Sequence, residues 1–203
     1  SKVGSSATLR GELGLALAHC NRRSGGALLT AAADLLGSTS VNVIGESFGP
    51  GFYNAQGNPA ARTLSLGGIC EDGATGILSG ISTFGHHIGV VASYGAFLAP
   101  LAHIGARLHA IGSQARQAVS GDAFKPMVVI CAHAGLMTGE DGPTHADPQA
   151  LQLLQENFPP GTVVTLTPWE PREVWTLVGA ALARRPAVIA PFVTRPTVRV
   201  PDR

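Results

Sequence analysis

Charge is scarce in this sequence. Asp, Glu, Lys and Arg make up 13% of the 203 residues, about half the usual share, and 14 basic against 13 acidic side chains leave a net charge of +1. No run of either sign exists to neutralise a phosphate backbone, so no nucleic-acid partner is expected. Cysteine is scarce too. Cys20, Cys70 and Cys131 are an odd count at wide spacing, which gives neither a disulfide framework nor a Cys-x-x-Cys metal knuckle and fits a reducing cytoplasm. The chain starts at Ser1 and lacks a basic-then-apolar signal pattern; the expectation is a trimmed or excised start rather than a secretory one. A long hydrophobic run is also missing. Ile88–Ala106 comes nearest, but Ser93, Tyr94, Pro100 and His103 interrupt it, and it reads as a buried strand, a turn and a buried helix rather than a membrane span.

What is abundant is small and apolar. Hydrophobic residues reach 45% and there are 26 glycines, a composition unlike that of a disordered tail or a coiled coil. The length suits one domain over residues 1–203 with a proper core. So little charge implies that something else covers much of its surface.

Leu9, Leu13, Leu17 and Cys20 recur at helical spacing within Thr8–Arg23 and predict a first helix. Short apolar runs follow: Ala27–Ala33, Thr63–Leu66, Ile88–Ser93, Pro126–Cys131, Val163–Thr167 and Ala187–Ala190. Continuous apolar runs are the mark of strands buried on both faces of a parallel sheet. Between them lie helical patterns over Glu71–Phe84, Phe97–Val119, Asp147–Glu156 and Pro171–Arg184, the third opening with Asp147 as N-cap and Pro148 at the first helical position. The prediction is an α/β fold: a single doubly wound domain, mostly parallel sheet of about six strands, with helices on both faces. In that architecture ligands sit beyond the carboxyl ends of the strands. The polar residues that follow strands are Asp34, Glu71, Ser93 with Tyr94, the His133–His145 loop, Trp169 with Glu170, and Arg195. The segment Gly45–Pro59, rich in Gly, Asn and Pro, is the longest without a periodic pattern.

The most specific string is GLMTGEDGPTHAD, Gly135–Asp147. Gly139, Gly142 and Pro143 bend the chain so that Asp141 and His145 can face a polyol as acceptor and donor. By composition alone the same string reads equally well as a surface turn followed by a helix cap. The His86–His87 pair stands at a helix end without the Cys or carboxylate partners of a zinc set. Trp169 and Trp175 read as core and edge packing.

GEDGPTH resembles the middle, pyrimidine-binding domain of the transketolases, thiamine-diphosphate enzymes that move two-carbon ketol units between sugar phosphates. GICEDGATGILSG (Gly68–Gly80) is similar to the family segment in which a glutamate after a strand opens a long helix. SYGAFLAP (Ser93–Pro100) is similar to the next strand and turn. The resemblance covers nearly the whole chain. It implies catalytic roles for Glu71 and His145, with Glu71 hydrogen-bonding the ring nitrogen of the cofactor's aminopyrimidine and Phe97 packing on that ring. Burial at a helix head favours a protonated carboxyl, although a Glu in a first turn also simply complements the macrodipole, worth about 0.3–1 kcal/mol. It further implies substrate contacts from Arg10, Ser38, His133, Asp141, His145 and Arg195. Of these, Arg10, Ser38, His133 and Arg195 would hold the sugar phosphate, and Asp141 and His145 would hold hydroxyls near the reacting carbons.

The chain departs from the family pattern at Pro100 and His103, where aromatics are usual, and at Cys70, where an arginine is usual. By the resemblance, the first two imply an altered pyrimidine pocket and the third puts the family's neighbouring dimer contacts in doubt. The Gly-Asp-Gly motif for diphosphate and Mg2+ is broken, because Gly121-Asp122 is followed by Ala123. Thiamine diphosphate is therefore expected to be shared with a diphosphate-binding partner domain that also holds the Mg2+. The resemblance implies a homodimeric, cytoplasmic transferase component of the pentose phosphate pathway, inactive as an isolated chain. Two other readings stay open: a domain of another thiamine-diphosphate enzyme, such as a deoxyxylulose-phosphate synthase, and a noncatalytic partner or regulatory module of the same fold.

Overall fold

The computed structural model describes residues 2–33, 36–100, 105–135, 142–145 and 149–202. Five parallel strands form the central sheet: β2 (Leu28–Ala32), β3 (Ile88–Ser93), β4 (Met127–Cys131), β5 (Val163–Leu166) and β6 (Val188–Pro191), in the order β2-β3-β4-β6-β5. A separate antiparallel ribbon pairs β1 (Ser6–Thr8) with β7 (Thr197–Arg199). The helices are α1 (Leu9–Arg23), α2 (Glu71–Phe84), the short α3 (Leu98–Pro100), α4 (Ala106–Ser120), α5 (Ala150–Glu156) and α6 (Pro171–Arg184).

The pleat sorts the core into two layers. Val90, Ala92, Val128 and Ile130 face α1 and α6, where they meet Leu13, Leu17, Val174 and Val178. Val91, Val129 and Cys131 face the opposite way, onto Ala74 and Leu78 of α2, Ala106 of α4 and Leu154 of α5. Every residue of β4 is buried, which is why its sequence, MVVIC, shows no alternation. Local signals set the helix ends. Thr8 caps α1 by accepting the Gly11 N–H at 3.1 Å, and the Cys70 Sγ accepts the Gly73 N–H at the head of α2. Gly85 closes α2 at a φ of 93°, a left-handed conformation natural to glycine.

Among the described residues the sheet has five strands, against about six expected. Thr63 makes a single parallel bridge to Thr30, and the chain then leaves the edge at Gly67, whose φ is 74°. Within the predicted helix over Phe97–Val119, α3 and α4 cover described parts, and residues 101–104 lie outside the described set. Asp34, Asp147 and Pro148 also lie outside it. Trp169 is 84% exposed, so it packs no core, whereas Trp175 donates its indole N–H to Glu12 Oε2 at 2.8 Å across the α1–α6 contact. No helix of the described residues is long and apolar enough to cross a membrane.

His109 is fully buried in α4 between the hydroxyls of Thr83, 3.1 Å from Nδ1, and Ser113, 3.4 Å from Nε2. Burial holds its pKa below the ordinary 6.5, against weaker backbone contacts with Ser79, Lys125 and Ala187 that favour the protonated ring. A folded-state pKa below the unfolded value means that the unfolded chain binds the extra proton. The stability that neutral His109 contributes is therefore complete above pH 6.5 and is lost as pH falls through the folded value. Denaturant melts between about pH 8 and about pH 5 should show this acid-side loss, with a slope of at most about 1.4 kcal/mol per pH unit from this group. His109→Gln should flatten the profile, and an unchanged slope would refute the assignment.

Candidate functional site

The carboxyl edge of the sheet collects the polar residues, and a close helix–turn contact begins the assembly. A Cβ on Gly14 of α1 would stand 2.3 Å from the Ser40 carbonyl oxygen. Only glycine lets the turn over residues 36–40 settle on the helix, with Ser40 itself at a φ of 58°. Ser38 is thereby laid over Arg10, which donates to the Ser38 carbonyl. The same Arg10 Nη1 lies 2.9 Å from His133 Nε2, just past β4, where His133 is 1% exposed.

Tyr94, the residue after β3, completes this cluster. Its hydroxyl is hydrogen-bonded to Ser38 Oγ, and its ring lies over His133 with centroids 4.1 Å apart and planes 30° from parallel. His145 meets the edges of Tyr94 at 5.5 Å and of Phe97 at 5.4 Å, and its Nδ1 is 2.9 Å from Thr144 Oγ1. Phe97 leaves 42% of its surface exposed. An apolar recess of ≈ 540 Å³ adjoins the cluster, bounded among others by Leu9, Ala134, Trp169 and Phe192.

Glu71 occupies the other side of the same strand end. It is the first residue of α2, half-buried, and Ser93 donates to its Oε1 at 3.3 Å. Its burial is thus only partial, less than its position at the head of an apolar helix predicts. Of the residues singled out from sequence, Arg10, Ser38, Phe97, His133 and His145 come together, and Glu71 reaches them through Ser93–Tyr94. Arg195 is half-buried between β6 and β7. Asp141 lies outside the described residues. The sequence marks Tyr94 only as a polar residue after a strand, with no assigned role; its hydroxyl partner is 56 positions away, a pairing that no local pattern encodes. Among the described residues no group of three or more His, Cys, Asp or Glu side chains converges to hold a metal ion.

An open parallel sheet with helices on both faces and a polar cluster at its carboxyl edge defines a doubly wound α/β binding domain. Comparison narrows the class. A family model of the transketolase pyrimidine-binding domain matches residues 6–199, and the chain belongs to that family. It is similar in structure to transketolase from Campylobacter jejuni, at 19% identity and a TM-score of 0.74, over 99% of this chain and 28% of that one. Transketolase from Leishmania mexicana is similar at 20% identity and a TM-score of 0.74, over 98% of this chain and 27% of that one. A Pichia stipitis transketolase in complex with sedoheptulose 7-phosphate gives 18% and 0.73, over 96% and 26%. The chain therefore spans little more than a quarter of the length of these structures. No curated protein matches it in sequence.

The contact between Arg10 and His133 fixes a tautomer. A guanidinium can only donate, so His133 Nε2, 2.9 Å away, must accept, and the neutral ring carries its hydrogen on Nδ1. Nε2 also lies 3.3 Å from the Ser38 carbonyl, which would favour a hydrogen on Nε2; the shorter, charge-assisted contact outweighs it. Nitrogen-15 NMR of the histidine rings should place an unprotonated Nε2 at His133, and Arg10→Met should remove the preference. A protonated Nε2 on a neutral ring would contradict the assignment.

Proposed function

We propose that this chain, as one domain over residues 1–203, is the pyrimidine-binding component of a transketolase-like transferase that moves two-carbon ketol units between sugar phosphates. The observation that carries this reading is the junction at Ser93–Tyr94, with a carboxyl on one side and a compact Arg–Ser–His cluster on the other. The rest of the thiamine site, including Mg2+ and the diphosphate contacts, would come from a diphosphate-binding partner domain. The assembly would be a cytoplasmic homodimer. Exposed Ile69, Ile77, Phe84 and Val119 support a covered surface, since a monomer rarely leaves so much apolar area to water.

The residues suit the aminopyrimidine end of the cofactor. Ser93 engages one oxygen of Glu71, so the other can hold a proton against a ring nitrogen, and the open face of Phe97 offers a stacking surface. Thiamine diphosphate, when bound, supplies the nucleophilic carbon for ketol transfer. On the substrate side, Arg10 and Ser38, with Arg195, would bind the phosphate dianion by charge-assisted hydrogen bonds, and His133 would hold the Arg10 guanidinium at that site. His145, steered by Thr144 and walled by Tyr94 and Phe97, would bind and exchange protons with hydroxyls near the reacting carbons, together with Asp141. These groups orient the substrate before reaction, and orientation is a large part of catalysis.

Glu71→Gln keeps the shape of the side chain but cannot deliver the proton. In the assembly with its diphosphate-binding domain, the variant should lower the ketol-transfer rate by about 10²–10⁴-fold while changing cofactor affinity far less. Near-normal turnover would remove Glu71 from the mechanism. The chain alone should bind thiamine diphosphate weakly, because the charge-assisted contacts to the diphosphate belong to the partner. Calorimetric titration with cofactor and Mg2+ checks this, and a micromolar one-to-one complex would overturn it.

A further inference from the structure

Tyr94 is buried to 5% exposure, yet its hydroxyl does not turn back into the fold. It meets Ser38 Oγ, on the turn whose Ser38 carbonyl accepts from Arg10. Either hydroxyl could donate. A phenol is the stronger hydrogen-bond donor, so Tyr94 gives its hydrogen to Ser38 Oγ, and the Ser38 hydrogen then points away from the phenol. A hydroxyl that accepts one hydrogen bond donates its own hydrogen more strongly. The same tyrosine ring supports His133 at 4.1 Å, and Arg10 spans the Ser38 carbonyl and the His133 ring. Arg10, Ser38 and His133 thus contact one another, and two of them are held by one residue.

We propose that Tyr94 is a positioning residue: its hydroxyl aims Ser38, and its ring seats His133, so that the phosphate of a sugar phosphate meets a preassembled site. The proposal rests on assigning Arg10, Ser38 and His133 to the phosphate site. Preassembly matters because side chains ordered before binding spare the ligand the cost of ordering them. The hydroxyl and the ring have separable duties, since phenylalanine keeps the stack on His133 and loses only the contact with Ser38.

The test uses the chain as it is, with inorganic phosphate as the probe, followed by calorimetry and by the NMR signals of the His133 ring and the Ser38 amide. Tyr94→Phe should leave the melting temperature and the ligand-free His133 signals near wild type, move the Ser38 amide, and weaken phosphate binding about two- to ten-fold, as expected for one hydrogen bond. Ser38→Ala should weaken binding to a similar extent. The double variant should lose no more than the larger single loss, because Tyr94 acts through Ser38. Losses that multiply, or undiminished binding by Tyr94→Phe, would overturn the role of Tyr94 alone. A wild-type chain whose His133 signals do not respond to phosphate would instead sink the phosphate-site assignment and the proposal with it. Should Tyr94→Phe fail to fold, Ser38→Ala still decides, since unchanged phosphate affinity in that variant would leave Tyr94 nothing to aim.

Discussion

The register between β3 and β4 governs the chemistry of this edge. Ser93 pairs with Cys131, and the Ala132 N–H donates to the Ser93 carbonyl at 3.0 Å, so the two strands end side by side. Successive residues of a strand face opposite ways. Ser93 continues the Val91 face and reaches Glu71 on α2, while Tyr94 continues the Val90–Ala92 face and reaches Ser38 and His133 above α1. A slip of one residue would exchange the two and separate both groups from their partners. Such a slip would also turn Val90 and Val91 onto the wrong helices, so the apolar layers that stabilise the sheet also protect the site.

Polar groups at this depth persist only because they satisfy one another. Arg10, Ser38 and Tyr94, with the Nε2 of His133, do so with side chains and carbonyls drawn from four separate stretches of chain. Asn21 plays the comparable part at the opposite end of α1. It is fully buried, donates to the carbonyls of Leu28 and Ile44, and accepts the Leu28 N–H at 2.8 Å. α1 is thereby tied to β2 at one end and to the turn over Ser38 at the other, and Gly14 sets how closely it can approach.

Much of this was readable in the amino acids. The bounds of α2 and α6 agree with the periodic patterns over Glu71–Phe84 and Pro171–Arg184, because apolar spacing and terminal signals such as Pro171 are local. Thr63–Leu66 misled because a short apolar run says nothing about how many rungs it shares with a neighbour; here a single bridge forms before Gly67 turns the chain. The ribbon β1–β7 escaped notice for a related reason. Its strands are three residues each, too short to carry alternation, and their pairing joins opposite ends of the chain. Trp169 departs from the packing expected of it because bulk and apolarity do not by themselves decide burial. In the candidate site, the fold brings Arg10, Ser38, Phe97, His133 and His145 together, whereas the place of Tyr94 depends on contacts spanning 56 and 39 positions that only folding creates.

The ribbon has a mechanical consequence. Ser6 faces Arg199 and Thr8 faces Thr197, with Gly4 N–H bonded to the Val200 carbonyl and Val200 N–H to Ser5, so a pull on residues 5 and 200 in opposite directions loads these bonds one after another, as in opening a zip, and never all at once in shear. Under tension the ribbon gives way rung by rung. It opens from its outer end, and the rung beside Arg10, Thr8 with Thr197, parts last. Tugging from neighbouring chain is dissipated there before it can reach the helix that carries Arg10 or the loop that carries Arg195.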